Sequence, residues 1–438
     1  MKLFYGMIIA LSAFFPAGCG NSGGADSLVY HIDLPAGVRA FLALYPIDAP
    51  GTSHEINLSP DAGKTASGSL PALAPGSYLT VIDLYDAAGN RAPAPVEEVV
   101  SVSSGLPLTL SRGFTASGFS GCDPLAGQGA STLAAKLDAA LASAPGKYTV
   151  LVDGTETDLA SFAPKTLHGK GNRTITLRGG GHQVQAGAAG TPLFTIEAGS
   201  GSTLTLVLRD IALKGRDGNT VPVIRVNAGG KLAMKTGALI SGNTSVDDGN
   251  VRIYADSPMS PMNPGGGVVL HDGTLEMSGG VISGNTAHDG GGGVVLYDGI
   301  FAMSGGAIRG NTAYGDGGGV IVYAGTLEMS GGAISGNTAS HGGGGVLVVD
   351  GGVMNIRGGA ISGNTASPGG GGVTVFDGIF GMSGGTISGN TGETGGGVLI
   401  VDNGTFQMSG GAISGNTAHD SGGGVVLYDG IFAMNGGA

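Results

Sequence analysis

The chain has 438 residues, of which 90 are glycine, and its formal net charge is −12. Hydrophobic residues make up 41%, enough for a core if the glycines lie in turns, and charged residues only 12%. The glycine content excludes an ordinary helical protein, and no collagen-type Gly-x-y triplet runs through the sequence. The negative charge argues against a nucleic-acid partner, because binding to phosphates depends mainly on Lys and Arg.

Residues 1–19 have the pattern of an export signal: one lysine, an apolar run over residues 3–15, and small residues before Cys19. The ending Ala-Gly-Cys resembles the lipobox of bacterial lipoproteins, which implies lipidation of Cys19 and a membrane anchor. Pro16 stands where leucine is usual, so a plain secretory signal is the alternative. We therefore predict an exported protein, lipid-anchored at the outer membrane or cell surface.

Residues 27–111 contain short alternating runs separated by Pro, Gly and Asn, which predict a small β-sandwich. Within it, LAPGSYLTVIDLYDAAGNRA resembles the Pro-Gly-x-Tyr hairpin of immunoglobulin-like and transthyretin-like accessory domains, which implies a spacer. Residues 112–130 form a linker rich in small residues, and residues 131–144 place three leucines on one face of a predicted helix. We expect this helix to cap the domain that follows, because the open end of a β-helix invites edge pairing.

From residue 147 onward, strand-length apolar runs end in Gly or Asp-Gly, and the pattern becomes a repeat. The asparagines of its Gly-Asn-Thr triplet are Asn243, Asn285, Asn311, Asn337, Asn364, Asn390 and Asn416. Their spacings are 42, 26, 26, 27, 26 and 26 residues. A fixed period in this range is typical of a solenoid.

Each repeat contains three short strands. In the first strand the columns that begin at Val268 and Leu270 are always aliphatic, whereas those that begin at Val269 and His271 admit polar residues and are predicted to point away from the core. The second strand carries a Leu or Phe column and a Met column inward, and the third carries one Ile column. We therefore predict an all-β protein: a right-handed parallel β-helix over residues 147–438 with three-strand coils and a period of about 26, preceded by the β-sandwich and the capping helix.

Two further columns are predicted to be structural. The asparagines should stack as a hydrogen-bonded ladder at a corner, because Asn tolerates left-handed geometry and bonds its own backbone. An aspartate column follows the first strand, in most coils directly before Gly, so a turn explains it, although a calcium site stays open. Its members are Asp272, Asp298, Asp350, Asp377, Asp402 and Asp429. We predict no cofactor and assign no metal site.

GGAI at residues 305–308, 331–334, 358–361 and 410–413 is similar to the Gly-Gly-Ala-Ile motif of the chlamydial polymorphic outer-membrane proteins. It also resembles the glycine-rich β-helix repeats of spirochaete surface lipoproteins. The second chlamydial motif, Phe-x-x-Asn, is Ile-x-x-Asn here. The resemblance covers about residues 231–438 and implies a surface β-helix with an adhesin-like role.

Two features break the regularity and are candidates for contact with a host or envelope glycan or protein. One is the outward aromatic column, for which strand propensity alone is the competing explanation; its members are Tyr297, Tyr323, Phe376 and Tyr428. The other is an insertion over residues 245–264, and long loops on rigid scaffolds often carry recognition. Its candidate residues are Asp247, Asp248, Arg252 and Tyr254.

The main alternative is a polysaccharide lyase or glycoside hydrolase, since parallel β-helices also house pectate lyases. The regular coils lack an irregular polar cluster, and Glu276 and Glu328 lie two coils apart, about 10 Å, a poor spacing for glycoside cleavage. A structural filler without a ligand is the third possibility. Because the sequence stops three residues into another copy of the motif, we expect fraying or end-to-end self-association of the last coil.

Overall fold

The computed structural model describes residues 126–127, 129–152, 154–245 and 265–438, together with strand backbones between residues 28 and 124. Cys19, most of the predicted linker, and residues 246–264 lie outside the described residues. The early strands form two sheets. The first contains Leu28–Asp33, Thr65–Leu70 and Leu108–Gly113; the second contains Arg39–Pro46, His54–Leu58, Gly76–Tyr85, Asn90–Arg91, Val96–Val102 and Asp123–Pro124.

One α-helix, Leu133–Ala142, precedes the repeats. In the first turn of this helix, the backbone N–H groups of Leu133 and Ala134 donate hydrogen bonds to the carboxylate of Asp158, at 2.8 and 3.0 Å. Leu133 and Leu137 are fully buried in the hydrophobic core of the strands that follow, beside the buried ion pair of Lys136 with Glu156. A short 3-10 helix, Leu159–Ser161, comes next.

The remaining chain is a parallel β-solenoid with three sheets. The first sheet has ten strands: Lys165–Gly169, Phe194–Ala198, Ile224–Val226, Val268–Leu270, Val294–Leu296, Val320–Val322, Val346–Val349, Val373–Phe376, Val398–Val401 and Val425–Leu427. The second has sixteen: Gly146–Leu151, Arg173–Arg178, Gln183–Gln185, Leu204–Arg209, Ala212–Lys214, Gly230–Met234, Leu239–Ser241, Gly273–Ser283, Gly299–Arg309, Thr326–Met329, Ala333–Ser335, Val353–Ile356, Ala360–Ser362, Ile379–Ser388, Gly404–Ser414 and Gly430–Met434. The third has seven: Thr244–Ser245, Thr286–Ala287, Thr312–Ala313, Thr338–Ala339, Thr365–Ala366, Thr391–Thr394 and Thr417–Ser421.

Equivalent residues of successive repeats stack directly on one another. Val294 pairs with Val320, and Val320 pairs with Val346, so each of these two steps along the first sheet advances the chain by one period of 26 residues. The predicted parallel solenoid with a period of about 26 residues is confirmed, and it has about ten turns. Its interior is a continuous apolar column to which every complete coil contributes the same positions.

The aliphatic, Phe, Met and Ile columns predicted to point inward are buried in the complete coils. Leu275, Phe301 and Ile334 are each 0% exposed, and Met303 is 1% exposed. Inside the core, phenylalanine rings of adjacent coils stack face to face; the ring centroids of Phe380 and Phe406 are 4.4 Å apart. This burial is the main stabilising contribution that the repeats make, since each methylene removed from water contributes about 0.8 kcal/mol.

The strand boundaries differ from the prediction at two corners. The predicted second and third strands belong to one sheet, and in some coils they run as one strand, such as Gly273–Ser283, with a register shift after Met277. In those coils the Gly-Gly pair bends a strand, whereas in others it separates two strands, such as Thr326–Met329 and Ala333–Ser335. The prediction placed a corner at the asparagine, and the Thr-Ala pair that directly follows it forms strands of the third sheet.

The column that begins at Val269 was predicted to point outward because it includes polar residues, but its side chains are buried in the complete coils. Val295 is 1% and Ile321 is 2% exposed, although neither belongs to the core. The glycine-rich turn that leads into the first strand folds over them: a Cβ on Gly291, which has a φ of 68°, would lie 2.1 Å from Cγ2 of Val295. Consecutive glycines thus let the backbone cover a second, outer apolar layer.

Candidate functional site

The asparagine column forms a buried hydrogen-bonded ladder. In the middle coils, Oδ1 of each asparagine accepts bonds from the backbone N–H and the Nδ2 of the preceding asparagine; Asn337 and Asn364 make both at 2.9 Å. Nδ2 also donates to an isoleucine carbonyl one coil earlier, as Asn337 does to Ile308 at 3.0 Å. Because these amides are fully committed to neighbouring coils, they stabilise the stack and offer no group to a ligand.

The ladder has a member that the sequence analysis missed. Asn219 is 2% exposed, and its Nδ2 donates to Oδ1 of Asn243 at 3.0 Å. The signal was present, since Asn219 lies in another Gly-Asn-Thr triplet, at residues 218–220. The spacing of 24 residues to Asn243 placed it outside the regular period.

The aspartates after the first strand occupy turns. Asp272, Asp350, Asp377 and Asp402 have positive φ values between 44° and 58°. Aspartate tolerates this left-handed conformation better than most residues, because its short side chain bonds the local backbone. Among the described residues, no group of three or more His, Cys, Asp or Glu side chains is placed to hold a metal ion.

A row of chemically varied side chains runs along the outer face of the first sheet. Strand register places one residue from each of six successive coils in it, and we call it the outer row: His168, Glu197, Asn227, His271, Tyr297 and Tyr323. Neighbouring members are one coil apart, about 4.8 Å. Sequence analysis found only its aromatic half, since the first three members precede the regular repeats.

The polar half of the outer row is organised around Glu197. Its Oε1 lies 3.1 Å from Nδ1 of His168, and its Oε2 accepts a hydrogen bond from Nδ2 of Asn227 at 3.0 Å. These bonds, that of Asn227 foremost, lower the pKa of Glu197, so its carboxylate is ionised at neutral pH. The side chains of His168 and Glu197 are 49% and 31% exposed, which leaves their outer edges accessible.

The aromatic half is a stack of rings. The ring centroids of His271 and Tyr297 are 4.6 Å apart, and those of Tyr297 and Tyr323 are 5.2 Å apart, with interplanar angles of 12° and 13°. Burial raises the pKa of Tyr297 to about 12 and also raises that of Tyr323. Because the ring faces cover one another, their edges are what a partner would meet, and stacking of a sugar on these faces is disfavoured.

The other candidate residues are not brought into this stack. Phe376 lies two coils beyond Tyr323 with Val349 between them, and Tyr428 lies two coils beyond Phe376 with Val401 between them. Tyr428 is 66% exposed. The insertion candidates Asp247, Asp248, Arg252 and Tyr254 lie outside the described residues.

Arg225 lies beside the outer row, on the same face of the first sheet and one coil before His271. The positive charge of Arg225 lowers the pKa of His271, an effect second to that of burial. It also opposes the rise in the pKa of Tyr297 that burial and Asp289 cause. Strand register places Arg225 two residues before Asn227 and one coil before His271, at the junction of the polar and aromatic halves.

On the second sheet, each of the two glutamates considered for glycoside cleavage forms an ion pair with a basic side chain. Lys231 Nζ lies 2.6 Å from Oε1 of Glu276, and Arg357 pairs with Glu328. A third acidic group, Asp210, is fully buried 3.9 Å from the Arg178 guanidinium, and burial raises its pKa well above the usual value. These three carboxylates do not face the outer row.

No protein-family model, curated protein or solved structure matches the chain. Within the part of the chain that the structure describes, no helix has both the length and the hydrophobicity needed to cross a bilayer.

Proposed function

We propose that this protein is a non-catalytic, lipid-anchored surface protein that uses its β-solenoid as a binding scaffold, in the manner of an adhesin. One observation supports this most directly: the outer row of the first sheet carries His, Glu, Asn and Tyr side chains in successive coils, whereas the column from Leu167 to Leu427 is aliphatic in every coil. In repeat proteins, departures from the repeat that gather on one face often mark the binding face.

The position of the insertion supports the same face. In sequence the insertion lies between Ser245 and Gly265, shortly before Val268–Leu270, the strand that pairs with Ile224–Val226 in the first sheet. We propose that the insertion and the outer row act together in recognition.

The remaining parts of the chain fit this role. We propose that the solenoid is right-handed, that the strands between residues 28 and 113 form a sandwich that spaces it from a lipid on Cys19, and that helix Leu133–Ala142 caps its first coil. The buried leucines of the helix and its contacts with the first strands favour the capping role.

Binding of the purified protein to host cells and extracellular matrix, with and without residues 246–264, tests the proposal. We expect binding by the intact protein and a loss on deletion, with the solenoid still folded by circular dichroism. Absence of binding by an intact fold would favour a structural filler. Mass spectrometry of Cys19 tests the anchor, and an unacylated cysteine would remove it.

A carbohydrate-active enzyme is the competing class. The discriminating measurement is turnover of acidic glycans such as polygalacturonate by the purified protein. We expect background rates, because Glu197 is held ionised by its partners and a glycosidase needs a second, protonated carboxyl group at defined distance. Robust turnover would overturn the non-catalytic proposal.

A further inference from the structure

The side chain of Arg225 has no partner among the described residues. Its guanidinium group makes no hydrogen bond or ion pair there, and its Nε is buried with no acceptor. Other arginines with a buried Nε have compensating contacts: Arg173 donates to the carbonyl of Ser143, and Arg216 donates to that of Gly187 at 2.8 Å. Only Nε of Arg225 is buried, and its two terminal nitrogens, which also lack a partner among the described residues, stay accessible to a ligand.

We propose that Arg225 binds the carboxylate of an acidic glycan whose chain lies along the outer row. A guanidinium group presents parallel N–H donors that match the two oxygens of a carboxylate, and such charged pairs are among the strongest hydrogen bonds. The inference rests on the proposed binding function and assigns it a ligand class.

The rest of the outer row suits sugar hydroxyl groups. The carboxylate of Glu197 is an acceptor, and the amide of Asn227 and the imidazole of His168 add planar polar edges in neighbouring coils. These groups recur at steps of about 4.8 Å, so an extended polymer parallel to the solenoid axis meets one set after another. A single small anion would use only Arg225.

An acidic peptide fits the same face less well. Strand addition needs free backbone N–H and C=O groups, but strand Ile224–Val226 is paired on both sides, with Phe194–Ala198 and Val268–Leu270. The polar half also offers no apolar pocket for peptide side chains. Asp272 and Asp298 lie near His271, where their charges oppose that of Arg225.

The test measures binding of the full chain to a galacturonate hexamer and to its methyl ester, which differ only in carboxylate charge. We expect the free acid to bind at least about tenfold more tightly, and Arg225→Gln to remove that difference. Arg225→Lys keeps the charge but loses the paired donors, so this variant should retain only part of the difference in affinity between acid and ester. Arg357→Gln, an equal change of charge on the second sheet, is the matched control and should bind like the unaltered protein.

Three results would overturn the inference. One is equal binding of acid and ester; another is equal binding of a polyglutamate peptide and the glycan. The third is a large loss of thermal stability in both Arg225 variants, which would make Arg225 a structural residue. If cells still bind the protein while Arg225→Gln changes nothing, the inference fails and the proposed function stands.

Discussion

Oδ1 of Asn337 accepts two hydrogen bonds from Asn311, one from its backbone N–H and one from Nδ2, each at 3.0 Å. Both residues are fully buried. One side chain thus satisfies polar groups of a neighbouring coil that have no access to water.

Replacing Asn337 with alanine should destabilise the solenoid by about 3 kcal/mol, because it leaves the N–H of Asn311 and the carbonyl of Ile308 buried without a partner. Asn355→Ala is the control; its amide donates to Glu328 at the surface, and its loss should cost below about 1 kcal/mol. Denaturant unfolding compares the two variants, and hydrogen exchange should show the loss centred on the coils around residue 337. Equal costs would contradict a special role for the ladder.

In the complete repeat coils, the glycine directly before the first strand should tolerate no side chain. A Cβ on Gly319 would lie 2.5 Å from the carbonyl oxygen of Gly345 and 3.0 Å from Nδ2 of Asn337, so Gly319→Ala should cost about 2 kcal/mol. Gly336 has a φ of 59° with nothing within 4 Å of a Cβ, so Gly336→Asn should cost below about 1 kcal/mol. Thermal unfolding of both variants checks the order, and a reversed order would contradict this packing.

The stability of the fold should depend on Lys136 and Glu156 together, because each neutralises the buried charge of the other. Lys136→Met alone leaves a buried carboxylate without its cation and should cost about 3 to 5 kcal/mol, whereas adding Glu156→Leu should restore most of the stability. Lys165→Met removes an exposed contact with Asp138 and should cost below about 1 kcal/mol. Denaturation of the single and double variants measures the coupling, and simple additivity would show that the two charges act independently.

Tyr297 should ionise late in an alkaline titration, since burial raises its pKa from 10.0 to about 12. The folded state holds the phenol proton more tightly than the unfolded state, so the resulting stabilisation is complete below pH 10 and is lost as the pH rises towards 12. Phenolate absorbance of the folded protein should show this late phase, and Tyr297→Phe should reduce it. The exposed Tyr314, replaced in the same way, is the control; one common transition for all tyrosines would contradict the prediction.

The interior of the solenoid could be predicted because each repeat shows which residue types are accepted at the same position. The aliphatic column from Val268 and the Met column from Met277 never accept a polar residue, and both are buried in the complete coils. Burial of Val295 was not predictable in this way, since Thr374 in its column indicated solvent. A glycine-rich turn covers Val295. The path of that turn depends on backbone dihedral angles, which the amino-acid sequence alone does not specify.

The polar half of the outer row escaped sequence analysis for a related reason. His168, Glu197 and Asn227 are separated by 29 and 30 residues, outside the regular period, so no column connected them. Only strand pairing aligns them with His271. The aromatic members were found, but their mutual stacking, which covers the ring faces, depends on coordinates.

The coils are interchangeable parts. Each step makes the same backbone pairing, the same asparagine bonds and the same core contacts, so removal of residues 320–345 would join Gly319 to Val346 and recreate the junction that the chain already uses. Recombination between repeats can therefore change the reach of the solenoid by about 4.8 Å at a time. Such length variants would leave Glu197 and Arg225 untouched, which separates how far the protein extends from what it recognises.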